Sequence, residues 1–257
     1  MKKNLALEKL NQGERILGTF FHSGSALVME AIGLSGMDYV IIDKEHAPIA
    51  VETAADMIRA AEARDLTPFV RIKEISRPSV LKLLDLGATG LIVPAVGGIE
   101  DVKKLVEYSK YPPIGNRGMA MARGSDFGLN TLPLPEHWAL HNRETLMIPM
   151  CETRGCLEAI EEIAALEGVD GIFVGPCDLS IALGKPGAFD DPEVNAAFER
   201  VVAACKAAGK FCLAFAPDTT LAERFIKMGF HGCASAIDVN LMLSSYRCLV
   251  KEVKAVL

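Results

Sequence analysis

The sequence has no cluster of basic residues, no long hydrophobic segment and no paired cysteine motif. Its 27 Lys and Arg are outnumbered by 33 Asp and Glu, which gives a net charge of -6. Binding to nucleic acid or to an acidic membrane surface requires a basic patch, so we expect neither partner. No apolar run approaches the roughly 20 residues that a transmembrane helix needs. The first residues also lack the apolar core of a signal peptide.

Seven cysteines are spread along the chain without a CxxC pair. An odd number of scattered cysteines is typical of reduced, buried thiols, so we expect no disulfides and a cytoplasmic location. The segment at the end of the first apolar run, Gly-Thr-Phe-Phe-His-Ser-Gly-Ser at 18–25, lacks the GxGxxG spacing of a dinucleotide-binding turn. A small molecule is therefore the expected partner.

The 257 residues are 50% hydrophobic and 23% charged, which is enough to bury a large core. Short apolar runs alternate with longer stretches of helical spacing, the pattern of βα units in a parallel sheet. The predicted strands are 16–21, 39–43, 67–72, 90–94, 145–151, 171–174, 210–216 and 232–237. The predicted helices between them include 51–63, 78–86, 99–108, 157–166, 191–208, 219–228 and 239–256.

Eight such units with right-handed crossovers predict an α/β fold, a (β/α)8 TIM barrel, as a single domain over residues 1–257. The alternative is an open doubly wound sheet, which usually has fewer strands. Residues 111–143 interrupt the alternation with several Pro and Gly residues. Because a long loop in a compact domain is usually functional, we expect this segment to lie over the active-site rim.

Two carboxylates stand at the ends of predicted strands. Glu152 closes the run Thr-Leu-Met-Ile-Pro-Met-Cys-Glu, and Asp178 follows Gly-Ile-Phe-Val-Gly-Pro-Cys. The carboxyl ends of parallel barrel strands meet at one rim, where two carboxylates can share a hard divalent cation such as Mg2+ or Mn2+, with Co2+ as a further option. The turn around Asp178 also opens a short helix, whose N–H groups favour a bound carboxylate. Alternatively, Asp178 only caps that helix.

The second predicted strand ends in Asp43, Glu45 and His46. An imidazole near a carboxylate is suited to proton transfer, because the carboxylate fixes its tautomer and raises its basicity. In the alternative interpretation, Asp43 caps the following turn while Glu45 and His46 are solvated. The third strand ends in Arg71, which could grip a substrate carboxylate or enolate, or could form a salt bridge at the rim.

The other histidines, His22, His137, His141 and His231, have no partner pattern. We interpret each of them as a surface residue or a hydrogen-bonded core residue. No cysteine is paired with a histidine in a way that would indicate a thiol nucleophile.

The motifs along the chain resemble those of the HpcH/HpaI aldolases, a family of class II pyruvate-dependent aldolases. They are Ile-Asp-Lys-Glu-His-Ala-Pro at 42–48, Val-Arg-Ile at 70–72, Leu-Asp-Leu-Gly-Ala-Thr-Gly-Leu-Ile-Val-Pro at 84–94, Tyr-Pro-Pro-Ile-Gly-Asn-Arg-Gly at 111–118, Cys-Glu-Thr at 151–153 and Val-Gly-Pro-Cys-Asp-Leu-Ser at 174–180. The resemblance extends over nearly the whole chain.

The resemblance implies a role for each matching residue. Glu152 and Asp178 would bind the metal, His46 would accept the proton, Arg71 would stabilise the transition state, and Asp85 would raise the basicity of the histidine. Asp43 and Glu45 would support His46 and a metal-bound water, and the backbone N–H of Cys177 would contact substrate. It also implies a barrel whose last helix, about 239–256, is exchanged with a neighbour in a dimer, with three dimers often forming a hexamer.

The chain departs from the family pattern in four places. Met150 stands where many members have a substrate-contacting Gln, and Lys44 stands where a small residue is common. The segment after Arg71, Ile-Lys73-Glu74, departs from the usual Val-Pro, and Cys177 replaces the usual Ala. These departures concern the choice of substrate more than the core reaction.

Together, the residues and the resemblance predict a metal-dependent aldolase that reversibly cleaves a 4-hydroxy-2-oxo acid into pyruvate and an aldehyde. Two alternatives stay open. One is a CoA-ester lyase of the citryl or malyl type, although no Lys and Arg cluster for the CoA phosphates is evident. The other is a barrel that binds a 2-oxo acid without turnover.

Overall fold

The protein is an eight-stranded parallel β-barrel surrounded by helices. The computed structural model describes residues 2–129 and 132–257, and within these residues the strands close in the order β1 to β8. They are β1 Ile16–Phe21, β2 Tyr39–Asp43, β3 Thr67–Arg71, β4 Gly90–Val93, β5 Leu146–Cys151, β6 Gly171–Val174, β7 Phe211–Ala216 and β8 Gly232–Ile237. The predicted TIM barrel is confirmed.

Alternation along the strands divides the core into two layers. Successive strand residues point to opposite faces, and here both faces are buried. Inside the barrel, Tyr39, Ile41 and Phe69 belong to one cluster, while Val40 and Ile42 pack outside against the helices. Because both faces of each strand are buried, the strand sequences are continuous apolar runs and do not alternate between polar and apolar residues.

Glycines in two strands, Gly18 of β1 and Gly90 of β4, make room for aromatic rings inside the barrel. A Cβ atom on Gly18 would lie 2.4 Å from the ring of Tyr39, and one on Gly90 would lie 2.5 Å from the ring of Phe69. The two rings are themselves in contact, with centroids 5.1 Å apart. The amino-terminal half of the barrel is therefore filled, which leaves the carboxyl ends of the strands as the place for a site.

Helices alternate with the strands, and several of them begin at a side chain that caps the first turn. They are α1 Leu5–Asn11, α2 Ala26–Gly33, α3 Val51–Glu62, α4 Arg77–Asp85, α5 Ile99–Ser109, α6 Leu134–Glu144, α7 Arg154–Glu158, α8 Ile160–Ala165, α9 Pro176–Ala182, α10 Pro192–Ala208, α11 Thr219–Met228 and α12 Asp238–Lys254, with a 3-10 segment at Arg123–Gly128. Ser76 caps α4 by accepting a hydrogen bond from the N–H of Ser79, as its position before Pro78 predicts. Across the described residues, no helix has the length and hydropathy to span a bilayer.

The terminal helix α12 lies almost entirely in solvent. After Asp238, every residue of the helix is exposed. Its exposed apolar side chains, from 38% to 64% accessible, are Val239, Leu241, Met242, Leu243, Tyr246, Leu249, Val250 and Val253. On the barrel, Leu17 of β1 is 41% exposed although neighbouring strand residues are buried. The helix thus does not cover the β8–β1 side of its own barrel.

Residues 111–143, of which 130 and 131 lie outside the described residues, pack at the amino-terminal end of the barrel. Arg117 donates to Asp85, the last residue of α4, at 3.0 Å. Arg123 donates to the carbonyl of Leu86 at 2.9 Å and pairs with Glu62, the last residue of α3. The expectation that this segment lies over the active-site rim is therefore wrong for the chain's own barrel. The segment connects α5 to β5, so it must lead to the amino-terminal end of a strand, which is the end opposite the rim.

Candidate active site

Four polar side chains continue the inward-facing rows of the strands at the carboxyl-end rim. Each stands two positions after a residue of the inner cluster, so alternation points it toward the barrel axis. The pairs are Phe20 and His22 on β1, Ile41 and Asp43 on β2, Phe69 and Arg71 on β3, and Met150 and Glu152 on β5. The fold therefore collects two carboxylates, a guanidinium and an imidazole at one place.

Arg71 and Asp43 form a buried bidentate ion pair. The guanidinium donates from Nε to Oδ1 at 2.9 Å and from Nη2 to Oδ2 at 2.6 Å. Asp43 is 0% exposed and Arg71 is 7% exposed. The third nitrogen, Nη1, lies 3.1 Å from Oε2 of Glu45, and the guanidinium sits over the ring of Phe20 at 4.8 Å. The orientation of Arg71 is thus fixed from several directions.

The electrostatics of Asp43 show the strength of this pairing. Burial is the largest single effect and would raise the pKa of Asp43, but the hydrogen bonds and charge of Arg71, with the N–H of Glu45, outweigh it and hold the pKa below its usual value. Asp43 also accepts from the backbone N–H of Glu45 at 3.0 Å and of His46 at 3.4 Å. It therefore caps the turn after β2 and pairs with Arg71 at the same time.

His46 projects from this turn toward solvent. Its side chain is 62% exposed, and its Nε2 lies 3.8 Å from Oε2 of Glu45. Asp43 contacts the backbone of His46, and no hydrogen bond joins the two side chains among the described residues. Asp85, which the resemblance pairs with the histidine, lies at the other end of the barrel with Arg117. Within one chain, Asp85 and His46 do not meet.

Glu152 is a buried carboxylate beneath the rim. It is 8% exposed, and its Oε1 accepts a hydrogen bond from the N–H of Ala95 at 2.6 Å. Ala95 follows β4 with a φ of 53°, an uncommon value for a residue with a Cβ, which turns its N–H toward the carboxylate. A Cβ on Gly175 would lie 2.7 Å from Oε2 of Glu152, so the glycine keeps space beside the second oxygen.

The carboxylates at the rim repel one another electrostatically. Burial raises the pKa of Glu152 to about 7, and the charges of Asp178 and Glu45 add to this effect, while the N–H of Ala95 and the charge of Arg71 oppose it. Burial also raises the pKa of Glu45, against the opposing charge of Arg71. A bound cation would relieve this repulsion, since oxygen donors of negative charge are the ligands that hard divalent cations prefer.

The two candidate metal ligands, Glu152 and Asp178, both offer carboxylate oxygens. In residues 2–129 and 132–257, no group of three or more His, Cys, Asp or Glu side chains is arranged as a complete metal site. Glu152 and Asp178 could therefore supply only part of a coordination shell, the remainder coming from water and substrate. Mg2+ is commonly bound in this way, through one or two carboxylates.

A cavity of about 170 Å3 opens at the rim. Its lining residues are Phe20, His22, His46, Arg71, Met150, Gly175, Pro176, Cys177, Asp178, Phe215 and Ile237. Met150 lies in its wall at 2% exposure. Burial, together with the charge of Asp178, raises the pKa of Cys177, which keeps this residue a thiol and argues against a thiolate nucleophile. The cavity has one ionic side and one apolar side.

His22 is a site residue that the sequence interpretation missed. Its Nε2 lies 2.7 Å from Oδ2 of Asp43, and its ring lines the cavity. The signal that could have identified it is its position directly after β1, two residues beyond the inward-facing Phe20. Lys44, in contrast, alternates outward and donates to the carbonyl of Ile49 at 2.9 Å.

Comparison with known proteins gives matches over nearly the whole chain. The model of the HpcH/HpaI aldolase/citrate lyase family matches residues 17–245. A pyruvate aldolase of Rhizobium etli is 34% identical over 91% of this chain and 91% of its own length. A 2-keto-3-deoxy-L-rhamnonate aldolase of Escherichia coli is 33% identical over 91% of this chain and 87% of its own. The crystal structure of citrate synthase SbnG is 31% identical with a TM-score of 0.87, covering 96% of each chain.

Proposed function

This chain belongs to the HpcH/HpaI aldolase/citrate lyase family, and from that premise we propose a divalent-metal-dependent aldolase that reversibly cleaves a 4-hydroxy-2-oxo acid into pyruvate and an aldehyde. Two aldolases at 33% and 34% identity over 91% of the chain support this assignment as a carbon–carbon lyase. The observation that carries it is the buried Glu152 at the rim: burial raises its pKa to about 7 and the charges of Asp178 and Glu45 add to this effect, so a bound cation would relieve the accumulated negative charge.

Glu152 and Asp178 would hold the divalent cation. Both offer oxygen donors, and the glycine at 175 leaves space beside Oε2 of Glu152. When bound, the cation would act as a Lewis acid toward the carboxylate and 2-oxo oxygen of the substrate. Mg2+ and Mn2+ match an oxygen-only donor set, with Co2+ as a further candidate.

Arg71 would add a fixed positive charge at the substrate. Its guanidinium is held by Asp43 and Glu45, so it does not need to reorganise during the reaction. Negative charge that develops on the 2-oxo oxygen when the carbon–carbon bond breaks would be stabilised by such a preorganised group. Met150 and the N–H of Cys177 would contact the same 2-oxo acid from the cavity wall.

His46 would accept the proton of the C4 hydroxyl during cleavage and return it during synthesis. Its exposed position at the cavity gives it access to substrate and solvent water. Glu45 is its nearest carboxylate, and Asp43 fixes the turn that carries it. Asp85 would raise the basicity of His46 only if it came from a neighbouring subunit, since the two residues stand at opposite ends of one barrel.

We propose a homo-oligomer built from dimers that exchange α12. The exposed apolar residues of α12 and the uncovered Leu17 on β1 support this arrangement, because each surface would be buried by the other in a dimer. We propose further that three such dimers form a hexamer. The cytoplasmic location stays a prediction; all seven cysteines carry free thiols in the structure.

The deciding experiment measures pyruvate release from 4-hydroxy-2-oxo acids before and after chelation. Chelation should abolish activity, and Mg2+, Mn2+ or Co2+ should restore it. Borohydride added with pyruvate should not inactivate the protein, because Lys44 and Lys73 line a separate cavity outside the rim. Activity that survives complete chelation, or covalent trapping on either lysine, would refute the metal-dependent assignment.

Citrate chemistry is the second candidate, because citrate synthase SbnG is 31% identical at a TM-score of 0.87. Incubating the enzyme with oxaloacetate, acetyl-CoA and a divalent cation, in parallel with a 4-hydroxy-2-oxo acid, separates the two activities. Formation of citrate and CoA without cleavage of the oxo acid would replace the aldolase assignment. Malyl-CoA in the same assay tests the CoA-ester lyase alternative.

A further inference from the structure

The backbone of His22 is fixed between β1 and the start of α12. The N–H groups of His22 and Ser23 donate to the carboxylate of Asp238 at 2.8 Å and 3.1 Å. Asp238 is the first residue of α12 and is only 5% exposed. Because one buried carboxylate accepts both N–H groups, the turn after β1 holds the imidazole at the rim in a defined position.

The ring of His22 lies against the carboxylate of Asp43. Its Nε2 is buried 2.7 Å from Oδ2, in an ion-pair contact that lacks the alignment of a hydrogen bond. Nδ1 makes no hydrogen bond with any residue in the described ranges, and it is not one of the buried unpartnered atoms. One nitrogen therefore faces the carboxylate, and the other is accessible to a ligand in the cavity that His22 lines.

His22 and His46 differ in how firmly they are held. The side chain of His22 is 20% exposed with a carboxylate oxygen at 2.7 Å, whereas that of His46 is 62% exposed with its nearest carboxylate oxygen at 3.8 Å. A well-positioned imidazole suits directional hydrogen bonding, and a mobile, solvated one suits proton exchange with water. The two histidines are thus suited to different tasks.

The topology of the barrel decides which end of a substrate reaches His22. In a closed order of eight strands, β1 lies opposite β5, which carries Glu152, and β2 lies opposite β6, which precedes Asp178. If the 2-oxo acid end of a substrate lies at the two carboxylates, a substrate that spans the mouth reaches the β1 side with the half that would leave as the aldehyde.

The surroundings of His22 on that side of the cavity are apolar. Among the described lining residues contributed by β1, β7 and β8 and the turns that follow them, Phe20, Phe215 and Ile237 accompany His22. His22 is the polar member of this group. A substrate oxygen on the aldehyde side would therefore depend on one imidazole, since the neighbouring side chains have no donor to replace it.

This inference rests on the proposed aldolase function. We propose that His22 is a substrate-binding residue that hydrogen-bonds a hydroxyl oxygen on the carbon next to the aldehyde carbon. The enzyme should therefore favour hydroxylated aldehydes over aliphatic aldehydes of the same size. The imidazole forms this bond through the nitrogen that Asp43 does not engage. Asp43 thus serves two partners, Arg71 on the 2-oxo acid side and His22 on the aldehyde side.

A matched pair of substrates tests this inference. 4,5-Dihydroxy-2-oxopentanoate and 4-hydroxy-2-oxohexanoate differ by a hydroxyl in place of a methyl group on C5, and both release pyruvate on cleavage. The measured quantity is the ratio of kcat/KM for the dihydroxy compound to kcat/KM for the hexanoate. Wild type should show a ratio of about ten or more, the factor expected from one lost hydrogen bond that leaves a partner unpaired.

Three variants separate substrate binding from a structural role. His22→Ala should bring the ratio close to one, mainly through KM for the dihydroxy compound. His22→Gln should retain part of the preference, because its amide can still hydrogen-bond. His46→Ala should lower kcat for both compounds and leave the ratio as in wild type. A ratio unchanged in His22→Ala, or a wild type without preference, would overturn the role of His22.

Failure of the proposed function has a different signature. Deuterium exchange into the methyl group of pyruvate with a divalent cation reports enolisation without any aldehyde. Exchange by wild type together with equal cleavage of both compounds would overturn only the inference on His22. Absence of exchange and of cleavage in wild type would overturn the aldolase assignment, and the inference on His22 with it.

Discussion

Replacing Asp43 with Asn should strongly destabilise the barrel, because it leaves the guanidinium of Arg71 buried without a counter-charge. Asp43 is 0% exposed and accepts from two guanidinium nitrogens and two backbone N–H groups. Breaking a buried ion pair by removing one partner costs about 3–5 kcal/mol. For a domain of this size, where 1 kcal/mol corresponds to about 2–4 °C, the Tm should fall by roughly 10 °C.

The measurement is thermal and urea unfolding of wild type and Asp43→Asn with a chelator present, so that metal binding does not contribute. Asp56→Asn is the matched control, since it removes the same charge from an exposed pair with Arg59 and should change the unfolding midpoint little. The double variant Asp43→Asn with Arg71→Gln should lose less than the sum of the two single variants, because neither then leaves a buried charge.

The dependence on pH has a defined sign. The pKa of Asp43 is held below its usual value in the folded protein, so its stabilising contribution is fully present above the unfolded pKa of about 3.9 and is lost as the pH falls through the lower folded value. The difference between wild type and Asp43→Asn should therefore be constant near neutral pH and shrink below about pH 4. Equal midpoints of the two proteins at pH 7 would refute the argument that this pair supports the rim.

Three further outcomes are expected. Glu152→Gln should weaken Mn2+ binding, measured by calorimetry, by more than the roughly 10- to 100-fold that is typical of losing an outer-sphere partner. The surface variant Glu161→Gln should bind Mn2+ as wild type does. Equal Mn2+ affinities of Glu152→Gln and wild type would remove Glu152 from the metal site. His46→Ala should lower kcat by about two to four orders of magnitude, and a near-wild-type rate would exclude it as the general base. Leu243→Asp with Tyr246→Ser should convert the oligomer to a smaller species in light scattering, because charge and lost apolar area oppose burial of α12; an unchanged mass would argue against exchange of this helix.

The sequence alone was sufficient to predict the barrel. Continuous apolar runs of four to six residues can be stable only with both faces covered, and their regular alternation with helical segments admits few other folds. The predicted bounds of individual helices differ from the structure where the local backbone conformation interrupts a helix. The helix predicted at 157–166 is two helices, α7 and α8, because Ala159 leaves the helical conformation with a ψ of 15° between them.

The same pattern predicted which residues stand at the rim, but not how they are paired there. Asp43, Arg71 and Glu152 are recognisable as the polar ends of apolar strands. The bidentate pairing of Arg71 with Asp43 depends on the register between β2 and β3, which places them side by side. His22 was missed because a single histidine after a strand has no sequence partner; its carboxylate comes from the next strand, 21 positions away.

Residues distant from the strand ends depended most on tertiary structure. The resemblance and the loop pattern assign Asp85 and residues 111–143 to the site. In the structure, Asp85 lies at the end of α4 and the segment connects α5 to β5, so both lie at the amino-terminal end of the barrel. Likewise, the spacing at 239–256 predicts a helix and the resemblance implies its exchange, while the fold shows directly that its apolar residues do not cover the chain's own β8–β1 side. Periodicity determines which face of an element is buried, but the path of the chain in space decides which neighbour buries it.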